Sequence, residues 1–130
     1  MNEKIILTES DYERLIELAG FTTAEADILR QNLSVARKIP KDKIGNAYVT
    51  MNSRVLLKEL KSGRNMEISL TYPRDAQPSE RKVSVLSPIG LALLGRKERD
   101  VVSWRIPTGV GKFEIVKVTY QPEAAGDFAL

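Results

Sequence analysis

The hydrophobic period of this chain changes once, and the change limits what it can fold into. Up to Pro40 the apolar residues recur three and four apart, whereas beyond Asn46 they fall in short runs rich in β-branched and aromatic residues. Between them, Lys41-Asp42-Lys43-Ile44-Gly45-Asn46 is polar, charged and contains a glycine, so it reads as a connector. Helices followed by strands predict an α+β chain, with a helical hairpin over residues 1–44 and a sheet domain over 45–130.

In the first part, Ile5–Leu7 is a short apolar run, and Thr8 can cap a helix with Asp11 reaching back as a weak capping-box acid. Tyr12, Leu15, Ile16 and Ala19 make one buried stripe, and Gly20 follows where a helix end favours positive φ, which predicts a helix over about 9–19. Thr22 or Thr23 can cap a second helix, in which Ala26, Leu29, Leu33 and Ala36 repeat with 3-4-3 spacing until Pro40 stops it. Taken from Thr23 to Lys38, this arm reaches roughly 24 Å at most. Small and large residues alternate in its seam, which suits close antiparallel packing.

In the second part, Tyr48–Leu57 and Met66–Tyr72 read as strands joined by Lys61-Ser62-Gly63-Arg64, and Lys82–Leu86 as a third. Ser87-Pro88 opens a short helix, with Ser87 as N-cap and Pro88 at the first helical position, Ile89, Ala92 and Leu93 as its buried face, and Gly95 as its end. Val101–Ile106 and Phe113–Tyr120 follow as strands around the turn Pro107-Thr108-Gly109-Val110-Gly111, and the tail after Tyr120 is loosely specified. An antiparallel sheet of about five strands with one short helix is expected.

Composition removes most catalytic designs. The chain has no Cys and no His, which excludes disulfides, thiol nucleophiles, His-based zinc sites and histidine bases. Glu17, Glu25 and Asp27 lie near the hairpin turn and either gather around a divalent cation or, as Glu25 and Asp27 in a helix first turn ordinarily do, favour the macrodipole. Gly109-Val110-Gly111-Lys112 lacks the spacing of a phosphate loop and precedes a strand, so it reads as a hairpin turn. We expect no catalytic residues, no cofactor and no metal.

Residues 1–27 carry a net −5 and the remainder +8 within an overall +3, a dipolar arrangement able to orient the chain on a large charged partner. The basic clusters Arg81-Lys82 and Arg96-Lys97-Glu98-Arg99 can meet phosphates in a general, weak association with DNA. With only one Trp and seven Phe and Tyr, recognition of a specific nucleic-acid sequence is not expected. No apolar run approaches the roughly 18 residues of a membrane span, and MNEKIILTES does not look like a signal peptide, so a cytoplasmic protein without membrane contact is expected.

Three strings carry a resemblance: Val49-Thr50-Met51-Asn52-Ser53-Arg54-Val55, Ser87-Pro88-Ile89-Gly90-Leu91-Ala92-Leu93-Leu94-Gly95, and Val118-Thr119-Tyr120-Gln121-Pro122-Glu123-Ala124-Ala125-Gly126-Asp127. With them the chain resembles the Gre-type transcription elongation factors, and within these the regulator of nucleoside diphosphate kinase subfamily. The resemblance implies a short N-terminal antiparallel coiled coil on an FKBP-like domain that docks on RNA polymerase beside its secondary channel. In cleavage-stimulating members a longer coiled coil delivers acidic tip residues to a catalytic magnesium. Here the helices are short and the turn Gly20-Phe21-Thr22 has no carboxylate, so the chain is expected to compete with such factors without stimulating cleavage, as a monomer. A cleavage-stimulating factor using the acids near the turn, or an FKBP-like peptidyl-prolyl isomerase, are the alternatives. Ser87, Pro88 and Ile89 resemble the loop that grips the polymerase, although Leu86 stands where cleavage factors often have Asp. Asn52 and Arg54 belong to the motif and serve either docking, the strand or the inter-domain interface.

Overall fold

In the computed structural model, which describes residues 5–107 and 109–126, the chain begins with strand β1 (Ile5–Thr8). Helices α1 (Glu9–Leu18) and α2 (Ala24–Val35) follow, then strand β2 (Ala36–Ile39). The Thr8 hydroxyl accepts from Asp11 N–H at 3.0 Å and Thr23 from Ala26 N–H at 3.1 Å, so both helices start where a hydroxyl satisfies an orphan donor. Leu15, Ala19, Ala26, Leu29 and Leu33 are buried along the facing stripes. Ile16, expected in that stripe, is exposed instead, and Gly20 is not among the positive-φ glycines.

Two features of this segment depart from the sequence reading. The second helix stops at Val35, because Ala36–Ile39 leave it to pair with β1; Ile5 lies opposite Ala36 and Thr8 opposite Ile39. The pairing is parallel, and parallel neighbours need a crossover, which the two helices supply. Ile6 N–H also donates to Gly95 O at 3.1 Å, so this ribbon is fastened to the body.

The body is a five-stranded sheet in the order β5-β4-β3-β7-β6, formed by β3 (Arg54–Glu59), β4 (Asn65–Thr71), β5 (Lys82–Ser84), β6 (Val101–Ile106) and β7 (Gly109–Tyr120). The sheet is mixed rather than antiparallel. The chain crosses from β4 to β5 through two short 3-10 turns, Pro73–Asp75 and Pro78–Glu80, and arrives parallel, with Leu70 opposite Val83. Helices α3 (Pro88–Leu93) and α4 (Pro122–Ala125) complete the fold, the second in the tail that the pattern left unassigned. Of the expected turn Pro107–Gly111, the last three residues already belong to β7, and Thr108 lies outside the described residues, as does Asp127 of the third string.

One hydrophobic cluster runs through both segments, joining Leu7, Leu15 and Leu29 to Val55, Leu57, Leu70, Leu93 and Ile115. Each of these is fully buried, and removing a leucine of this size from water stabilises the fold by about 1.5–3 kcal/mol.

Candidate functional site

The corner between β5 and α3 is built by hydrogen bonds that use both capacities of Ser87. Its hydroxyl donates to Ser84 O at 2.6 Å and accepts from Gly90 N–H at 3.1 Å, which caps α3. Gly90 is required because a Cβ there would stand 2.1 Å from Ser84 O, so α3 lies against the backbone leaving β5. Pro88 projects into solvent at the first helical position, with Ile89 half-buried beside it.

Ile89 opens on a concave apolar cleft of about 610 Å³ on the inner side of the sheet. Trp104 and Phe113 line it with rings stacked at 3.9 Å and 7° from parallel; Met66, Val83 and Ile106 add aliphatic walls, and Arg64 and Arg81 stand at its edge. An aromatic floor inside a polar rim is the anatomy of a surface that receives apolar side chains of a partner. Phe113 is buried, whereas Trp104 is only half-buried, and the alternation of β6 turns it to this cleft.

Asn52 and Arg54 are not brought to that cleft. The strand expected from Tyr48 begins only at Arg54: before it an isolated bridge pairs Tyr48 with Lys97, and Asn52 turns the chain at φ +66° with its N–H donating to Leu70 O at 2.6 Å. Asn52 instead borders a second cleft, of about 780 Å³, between α1 and the body, shared with Leu18, Phe21, Tyr72 and Leu86. Arg54 is exposed on the opposite side of the sheet, its guanidinium 5.9 Å from the Tyr120 ring centre.

The same turn holds a buried polar junction that pattern reading missed. Besides its contact with Thr8, the Asp11 carboxylate accepts from Met51 N–H at 3.0 Å and is only 5% exposed. Burial pushes its pKa up to about 6, against the lowering effect of the Met51 hydrogen bond, and nearby Glu123 raises it further. The Tyr72 hydroxyl is buried beside it, and burial together with the Asp11 charge drives that phenol well above its ordinary range. Thr50 Oγ1 lies 2.8 Å from Ser53 Oγ and donates to Glu123 Oε1 at 2.7 Å, while Gln121 Nε2 donates to Gly45 O and Tyr48 O. The first and third motif strings therefore touch each other, and the first also holds α1. An Asp in place of the usual Glu at the capping-box position was the available signal.

Near the hairpin turn, Asp27 pairs with Arg30, whose guanidinium donates to Ala19 O and Phe21 O. Glu17, Glu25 and Asp27 are exposed, and among the described residues no group of three or more acids is placed to hold a metal.

Comparison with known proteins agrees with this architecture. Residues 44–120 match the family model described as transcription elongation factor, GreA/GreB, C-term. The chain is 37% identical to the regulator of nucleoside diphosphate kinase of Escherichia coli K12, over 97% of this chain and 96% of that protein. It is 33% identical to transcription elongation factor GreA of Syntrophomonas wolfei, over 87% of this chain and 71% of that one. A solved structure titled prokaryotic transcription elongation factor GreA/GreB from Nitrosomonas europaea superposes with a TM-score of 0.80 at 36% identity, covering 92% of this chain and all of that one. The family model covers more than half of the chain and the relatives match along nearly all of it, so the chain belongs to the GreA/GreB family of transcription elongation factors.

Proposed function

We propose that the chain binds RNA polymerase as a non-enzymatic regulator, docking through residues 45–130 near the secondary channel and offering residues 1–44 as a short arm. It then displaces cleavage-stimulating relatives by mass action and does not stimulate cleavage itself. The observation that carries this reading is the arm's length. α2 has 12 residues, a reach of about 18 Å, and Ala19–Thr23 between the helices holds no carboxylate. Metal ligands act only within about 2–2.5 Å, so acids that stop short of a reaction centre cannot position its magnesium. The apolar cleft under α3, with Pro88 and Ile89 at its border, supports docking through that corner.

A competition assay tests the proposal: labelled long-armed Gre-type factor on polymerase core enzyme, titrated with this chain. Displacement at micromolar concentration is expected, and Pro88→Glu, which keeps an N1-compatible residue, weakens it about tenfold or more. No binding of the parent chain to core enzyme, or transcript cleavage in a backtracked complex that Glu17→Gln, Glu25→Gln or Asp27→Asn abolishes, refutes it. The Trp104–Phe113 floor also favours a second reading as a proline-binding pocket, which a peptidyl-prolyl isomerisation assay decides directly.

A further inference from the structure

The side chains turned away from the apolar cleft form a second surface, on the other side of the sheet. Directly paired residues of neighbouring strands share a face, and Val55 and Leu57 of β3 are buried inward, so Arg54, Leu56 and Lys58 point outward. The register sets Lys117 beside Leu56 and Glu114 beside Lys58, and carries the row on through Lys112 opposite Ser103 to Arg105. Lys82 continues the face at the far edge, opposite Ser69, and Glu67 lies opposite Leu56. Among the described residues of these strands, six bases therefore share this face with two acids.

Both acids are engaged by neighbouring residues. Thr119 Oγ1 donates to Glu67 Oε2 at 2.6 Å, and Arg99 stands 3.8 Å from Glu114. In contrast, Lys58, Arg105, Lys112 and Lys117 are all exposed and make no ion pair with any described residue. With strands about 4.8 Å apart and about 3.4 Å per residue along them, these cations span three strands in a patch of roughly 10 by 20 Å. A like-charged cluster left unneutralised on a flat surface is an electrostatic footprint for a polyanion.

We propose that the outer face of the sheet docks duplex nucleic acid through its phosphate backbone, without reading sequence. Lysine is depleted at protein–protein interfaces but suits phosphate contacts, which favours nucleic acid over an acidic protein. Single strands need open aromatic platforms for their bases, and among the described residues the ring on this face, Tyr120, is half-buried under Arg54. The face and the apolar cleft lie on opposite sides of the sheet, so both can be occupied at once and the proposal stands independently of polymerase binding.

Fluorescence anisotropy with the full chain and a labelled duplex of about 20 base pairs tests it. Four phosphate contacts predict saturable micromolar binding at about 50 mM salt that weakens about a hundredfold by about 200 mM. Lys58→Gln, Lys112→Gln, Lys117→Gln together weaken binding at least about tenfold and flatten the log–log salt slope by about 3. Removing the same charge elsewhere, as Arg37→Gln, Lys41→Gln, Lys43→Gln, leaves affinity within about twofold. If the triple variant melts lower, Arg105→Gln with Lys112→Gln carries the same test, with a slope change of about 2. Absence of saturable binding at the lower salt overturns the proposal, as does an equal loss in the control variant. So does binding of a single strand or polyglutamate as tight as that of the duplex.

Discussion

Replacing Asp11 with Asn should stabilise the protein at neutral pH, although it removes a buried hydrogen-bonding charge. The folded pKa of about 6 lies roughly 2 units above the ordinary 3.8. Folding therefore prefers the protonated acid: its favourable contribution is complete below pH 4 and is lost as pH rises through 6. At 1.36 kcal/mol per unit, keeping Asp11 ionised costs up to about 3 kcal/mol above pH 7. Asn keeps an oxygen to accept from Met51 N–H and carries no charge. Its amide N–H groups need partners, and one left unmatched beside Tyr72 costs about 1–2 kcal/mol. The net expectation is a gain of about 1–3 kcal/mol at pH 7.5, shrinking to zero or below at pH 4. Urea unfolding of both proteins at intervals from pH 4 to 8 measures this difference. A gap that does not change with pH, or a variant less stable at pH 7.5, refutes the reasoning that burial dominates this carboxylate.

Three further outcomes follow from the packing. Gly90→Ala should lower stability by more than about 2 kcal/mol in a thermal melt, because its Cβ would meet backbone at 2.1 Å and no flexible side chain can yield. Leu29→Ala, at a fully buried position, should cost about 2–5 kcal/mol, whereas Phe21→Ala, 58% exposed, should change stability by less than about 0.5 kcal/mol while altering any activity of the arm's tip. Thr50→Val should cost about 1–2 kcal/mol and speed hydrogen exchange at the Ala125 amide, since the Glu123 contact that pins α4 is lost.

How much could be read from the residues depended on whether the determining interaction was local. The caps at Thr8, Thr23 and Ser87, and the strand Val101–Ile106, are set by neighbours in sequence and appear where the pattern placed them. Ala36 continued a helical spacing, and only its distant partner Ile5 makes it a strand. The direction of β5 depends on the crossover through Pro73 and Pro78, which no periodicity encodes. Asn52 and Ser53 were a turn signal inside a run of strand formers, outweighed by Val49, Thr50 and Val55. At the candidate site, the corner Ser87–Ile89 was legible as a capped helix start. The cleft beside it was not, because it arises from strands β4, β5, β6 and β7 meeting under α3.

The side-by-side course of β1 and β2 has a mechanical meaning. Both legs of the helical projection leave from one clamped base, so a load on Phe21 cannot spread them apart there. It meets the body at several points at once, through Ile6 on Gly95, Asp11 on Met51 and Asn32 on Leu91. The helix pair is a rigid extension of the body rather than a tether.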